Sequence, residues 1–156
     1  MSSRNTKHTP SPLEAHLGFW LRFVSNHVSI RFQQLLEEKG VSVTEWVALR
    51  TLWSQDETTH AELILALGMT KGAASKVVSR LEEKGLAGRQ LAEGRAREQC
   101  LVLTAEGKTL VPQLAALADA NDAHFFGHIS AAERRALTQT MQDLVKHHQL
   151  KEIPTA

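Results

Sequence analysis

The sequence predicts a mainly α-helical fold carrying one small β-hairpin, and three observations predict it. Ser/Thr-x-x-Glu patterns recur at Ser11, Ser42, Thr59 and Ser130, each just before an apolar-periodic run, as helix capping requires. Glycines at Lys39-Gly40, Gly68 and Lys84-Gly85 supply stops. After Gly85 the apolar period changes from that of a helix to that of a strand. With 156 residues, 42% apolar and 22% charged, the chain suits one domain with a real core. That domain is expected over residues 11–150, after a flexible tail at 1–10.

The first helix is expected from Ser11, with Pro12 in its first position and Glu14 in its third, to about Glu38. Leu17, Leu21, Val24, Val28 and Leu35 form one apolar stripe; Phe19, Phe23 and Ile30, with His16 and His27 beside them, form another. Burial on more than one side is expected. That is more apolar face than one small domain needs, so part of it is expected to meet a second copy of the chain.

Ser42 and Thr59 open two short helices, the second running through Leu67. Thr70 caps the next, whose Ala74, Val77, Val78 and Leu81 follow the i, i+3, i+4, i+7 spacing of a buried stripe. Two short helices about a tight Gly-containing turn are a helix-turn-helix. Residues 86–92 and 99–104 read as strands around the polar turn Glu93-Gly94-Arg95-Ala96-Arg97-Glu98, a two-stranded hairpin or wing. A helix follows from Thr104 to about Phe126, with Leu110, Leu114 and Leu117 apolar. A last helix runs from Ser130 to about Leu150, and Pro154 marks the end. The expected layout is a winged helix-turn-helix plus terminal dimerisation helices: a DNA-binding lobe at 42–104 and dimerisation helices at 11–38 and 105–150.

The net charge of +1 excludes a uniformly basic protein, but charge is not evenly spread. Residues 70–103 hold seven bases against four acids, while the segments on either side are nearly neutral. Gly72, Ser75, Lys76 and Ser79 lie on the outward face of the third short helix, with Lys71 and Arg80 on its flanks; with Thr70 at the cap, Lys71, Ser75, Lys76, Ser79 and Arg80 are the candidate DNA contacts. Small residues let a backbone approach base edges; hydroxyls and cations can reach bases or phosphates. Arg95 and Arg97 at the hairpin tip can enter a minor groove. Double-stranded DNA is the partner this pattern implies. A solvated basic face is the plainer alternative for the helix taken alone.

The stretch MTKGAASKVVSRLEEKGLAGRQLAEGRAREQCLVLTAEGKTL resembles the recognition helix and wing of the MarR (multiple antibiotic resistance regulator) family. The run RLEEKGL, the acid-x-Arg turn at Glu93-Gly94-Arg95 and LVLTAEGK carry the likeness. It extends more loosely through VTEWVALRTLW and SAAERRALTQTMQDL, covering most of residues 12–150. The resemblance implies a homodimer of interlocked terminal helices with winged lobes on a pseudo-palindrome, a transcriptional regulator, commonly a repressor. It also implies a small aromatic effector, for which Phe19, Phe23 and His27 on the first helix and Trp46, Arg50 and Trp53 on the second are the candidates; these aromatics equally suit a core or dimer interface. Glu93 stands where the family commonly has Asp. Gly72, Ala73 and Ala74 replace bulkier or hydroxylated residues, so the family's base preference does not carry over.

No Gly-rich phosphate loop or catalytic signature is present, so neither an enzyme nor a cofactor is expected. His124 and His128 have a metal-chelating spacing but lack a clear third and fourth ligand, and no metal site is expected. Cys100, the single cysteine, alternates with Val102 and reads as a buried apolar residue. No apolar run suits a signal peptide or membrane span, so a cytoplasmic protein with no membrane partner is expected. Two alternatives stay open: a winged-helix protein-interaction module without DNA binding, and a metal-responsive regulator using histidines.

Overall fold

The structure, a computed structural model, describes residues 9–91 and 99–151. Its elements are a 3₁₀ turn (Leu13–Ala15), α1 (Leu17–Glu37), α2 (Val43–Trp53), β1 (Thr58–Thr59), α3 (His60–Leu67), α4 (Lys71–Glu83), β2 (Ala87–Leu91), β3 (Gln99–Leu103), α5 (Ala105–Phe126) and α6 (Ala131–His147).

Local chemistry sets most of these boundaries. The Ser42, Thr59, Thr70, Thr104 and Ser130 hydroxyls each accept a backbone N–H from three residues on, satisfying donors that a helix start leaves orphaned. At Thr59 the reciprocal arm forms as well, Glu62 accepting from the Thr59 N–H at 3.0 Å. Gly40 and Gly85 end α1 and α4 in the left-handed region, at φ +72° and +70°. At each the following residue, Val41 or Leu86, bonds back to the carbonyl of Leu36 or Leu81, a Schellman closure.

The start of the first helix departs from expectation. Ser11 is not the cap: a 3₁₀ turn capped by Pro12 forms instead, His16 is extended at φ −94°, ψ 126°, and α1 begins at Leu17. A continuous helix would tie the Glu14 carbonyl to the N–H of Gly18, a poor helix former. Here that carbonyl accepts from the Trp20 indole at 2.9 Å. The hairpin also gains a neighbour: β1 pairs antiparallel with β3, giving a three-stranded sheet in the order β1-β3-β2 rather than two strands. Residues 1–8 of the expected tail, the wing turn and Pro154 lie outside the described residues.

The core sits in the lobe built by α2, α3, α4 and the sheet, closed by the ends of α1 and α5. Leu36, Leu49, Leu63, Leu67, Leu81 and Leu114 are fully buried there, and each such Leu contributes roughly 1.5–3 kcal/mol through burial. Cys100 is buried in β3 as expected, but not by alternation with Val102: in this central strand Leu101 beside it is buried too, and Val102 is only half-buried. By contrast, the burial expected on several sides of the first helix is absent within one chain. Leu36 is its buried residue, and Leu17, Leu21, Phe23, Val24 and Ile30 are exposed. The α6 helix buries no side chain.

Asn121 links α5 to α1 through two hydrogen bonds. Asn121, 3% exposed, donates from Nδ2 to the Val28 carbonyl at 3.1 Å and accepts from Arg31 Nη1 at 2.9 Å. Paired this way, a buried amide avoids the cost of an unmet hydrogen bond.

Candidate nucleic-acid interface

The α3–α4 pair meets at Gly68-Met69-Thr70, with Gly68 at φ +61° turning the chain. The orientation of α4 is fixed by its apolar stripe: Ala74, Val77, Val78 and Leu81 are all buried. Thr70, Lys71, Gly72, Lys76, Ser79 and Arg80 are therefore left exposed. Gly72 has no heavy atom within 4 Å of where a Cβ would stand, so the helix surface is low there. Ser75 is half-buried, its Oγ 3.4 Å from His60 Nε2 at the start of α3. The Thr70 hydroxyl accepts from the Ala73 N–H at 3.2 Å, leaving its own proton for an outside acceptor.

Charge on this face is sorted. The first turn of α4 carries no acid, so the positive end of the helix dipole is unopposed and suits an anion. Its acids, Glu82 and Glu83, lie at the far end. Glu82 is engaged there by Arg89 of β2 at 2.8 Å, which ties wing to helix. Lys84, itself exposed, is likewise engaged, donating to the buried Glu45 Oε2 at 2.6 Å and to the Gly40 carbonyl at 2.7 Å. Of the bases between 70 and 91, Lys71, Lys76 and Arg80 thus form the outward set. Arg95 and Arg97 lie outside the described residues.

The effector candidates fall into three places in the single chain. Phe19, Phe23 and His27 line one side of α1, with centroids 6.0 Å apart for Phe19–Phe23 and 5.2 Å for Phe23–His27. Trp46 packs edge-on against Phe32 at 6.3 Å, part of the lobe's packing. Arg50 is exposed and donates to Ser54 Oγ, while Trp53 borders a groove of about 450 Å³ with Gln90, Val102 and Lys108. The structure does not bring the α1 group and Trp53 together. His124 stacks edge-on with Phe125, and α5 ends at Phe126 before His128. Among the described residues, no three His, Cys, Asp or Glu side chains are grouped to hold a metal, and no helix is long and apolar enough to cross a membrane.

Sequence reasoning missed three structural residues. Lys84 and Glu45 are 39 positions apart and Asn121 is 93 from Val28, separations at which no local pattern signals contact.

Comparison with known proteins agrees with this architecture. Residues 41–91 match the model of the MarR family. The HTH-type transcriptional repressor Rv2887 of Mycobacterium tuberculosis is 27% identical over 131 residues, 84% of this chain and 94% of that protein. The transcriptional regulator HosA of Escherichia coli is 24% identical over 125 residues, 80% of this chain and 91% of its own. Among solved structures, CouR from Rhodococcus jostii RHA1 bound to p-coumaroyl-CoA shares the fold with a TM-score of 0.75 at 24% identity, covering 86% of this chain and 95% of that one. Bordetella bronchiseptica BpsR, whose DNA binding is regulated by 6-hydroxynicotinic acid, gives 0.72 at 21% identity, covering 87% and 97%. In its helix-turn-helix, its sheet and residues 41–91, the chain is similar to the MarR family of transcriptional regulators.

Proposed function

We propose that this chain is a cytoplasmic repressor that binds a pseudo-palindromic operator as a homodimer and is released by a small aromatic effector. The observation that carries the DNA contact is the outward face of α4: Lys71, Lys76, Ser79 and Arg80 exposed, with Thr70 at the cap and the half-buried Ser75 beside them, over a buried stripe that leaves the helix one way to face. Small and hydroxylated residues read base edges while the three cations neutralise phosphates. Arg95 and Arg97 complete the reading from the wing.

Dimerisation is supported by apolar surface the single chain leaves open. Leu17, Leu21 and Val24 on α1, and Leu137, Met141, Leu144 and Val145 on α6, are each between 42% and 73% exposed, at helical spacing. Stripes of this kind mark an interface. In this reading residues 11–38 and 105–150 join the subunits, and 42–104 form each lobe. Two lobes then sit about one helical turn apart, ~34 Å, on successive half-sites. The ligands of CouR and BpsR support an aromatic effector, with Phe19, Phe23 and His27 beside the open face of α1 as its first contacts and Trp46, Arg50 and Trp53 as the α2 contribution. It must bind the two lobe arrangements with different affinity to shift them.

Footprinting on DNA upstream of the chain's own gene tests the proposal. Two protected half-sites in consecutive turns, bound by two chains per duplex, are expected; one protected patch bound by a single chain would rule out the dimeric mode.

A further inference from the structure

The far end of α4 is tied to the rest of the lobe by the side chain of its cap residue. Lys84, the last residue of the α4 end, directs its ammonium to Glu45 Oε2 at 2.6 Å and to the Gly40 carbonyl at 2.7 Å. Gly40 belongs to the left-handed turn that closes α1, and Glu45 to the first turn of α2. One ammonium therefore joins three elements: the end of the helix whose apolar face is open, the start of the lobe, and the end of the reading helix. Glu45 is 4% exposed, so its charge has little water to fall back on and depends on this partner. The Ser42-x-x-Glu45 pattern predicts that this carboxylate caps α2, yet it serves Lys84 instead.

We propose that the Lys84–Glu45–Gly40 bridge is a positioning device that fixes the recognition helix relative to α1, and thereby sets the half-site spacing the dimer accepts. The inference rests on the homodimeric, DNA-reading function proposed above. A dimer joined through α1 transmits its geometry to each α4 through the contacts between them, and the bridge is a direct polar tie from the turn after α1 to the end of α4. The second ion pair, Arg89–Glu82 at 2.8 Å, extends the same rigidity from α4 to the wing. Lys84 acts on DNA through the placement of α4, not by touching phosphate.

The test is in vitro selection from a random duplex library, with melting temperature and the salt dependence of binding measured on the selected duplexes. The variants are Lys84→Arg, Lys84→Met and Glu45→Gln/Lys84→Met, the last removing both charges so that no unpaired buried charge unfolds the lobe. Wild type and Lys84→Arg are expected to select one half-site sequence at one spacing. The folded double variant is expected to select the same half-site at spacings spread over at least two base pairs, with an unchanged slope of log K against log salt. A lowered melting temperature with an unchanged spacing would reduce the bridge to a stability role and overturn the proposal. A slope shallower by about one unit would make Lys84 a phosphate contact and overturn it too. Failure of the wild type itself to enrich any sequence would overturn the DNA-reading function, and the positioning role with it.

Discussion

Gly107, in the first turn of α5, lies so close to the Leu86 carbonyl that a Cβ there would overlap the oxygen. Leu86 is the residue just after the glycine that ends α4, and its carbonyl also accepts the Thr104 N–H at 3.1 Å. The Thr104 hydroxyl meanwhile donates to the Gly85 carbonyl at 2.6 Å. The helix leading to the open α6 face is thus docked on the turn that follows α4. A shift of either element is felt by the other.

Gly107→Ala is expected to force α5 off this turn. Overpacking of this kind typically costs about 1–3 kcal/mol, occasionally more, which for a domain of this size lowers the melting temperature by roughly 2–4 °C per kcal/mol. Thermal unfolding followed by circular dichroism measures it; an unchanged midpoint would mean the contact relaxes freely.

Thr58 offers the opposite sign. It is fully buried in β1, and its hydroxyl meets no hydrogen-bond partner among the described residues. An unmet buried hydroxyl costs roughly 1–3 kcal/mol, and valine has the same branched shape with equal or better strand preference. Thr58→Val is therefore expected to raise the urea midpoint. A lower midpoint would show that the hydroxyl is satisfied in solution.

Met141→Asp should separate subunits without unfolding them. Met141 is 49% exposed in the single chain, so the substitution costs the isolated fold little. Buried against a second copy, the new carboxylate would be unpaired and several kcal/mol unfavourable. Sedimentation equilibrium is expected to show a dimer for the wild type and a monomer for the variant; a variant dimer as tight as the wild type would remove α6 from the interface.

The lobe was legible where short-range chemistry decides. Thr59 and Thr70 cap their helices, and the stripe Ala74, Val77, Val78, Leu81 is buried, because capping and helical period act within four residues. The outward set around Lys76 follows from that stripe. The break at His16 was not legible, because it depends on the Trp20 indole taking the Glu14 carbonyl. Nor was β1, two residues long and without a period to read. Glu45 misled for a different reason: a Ser-x-x-Glu pattern describes an available cap, while a cation brought from the end of α4 competes for the same carboxylate.

The central claim, that the outward face of α4 reads DNA, is tested most directly by a salt-varied binding titration of the wild type and the Lys76→Ala/Arg80→Ala variant. The duplexes are DNA from upstream of the chain's own gene and a scrambled sequence of equal length. Tight binding to the first duplex alone is predicted for the wild type. The variant is predicted to bind weakly, with a log K against log salt slope shallower by about 0.9 for each lost phosphate contact. Equal, weak binding of both proteins to both duplexes would contradict the claim.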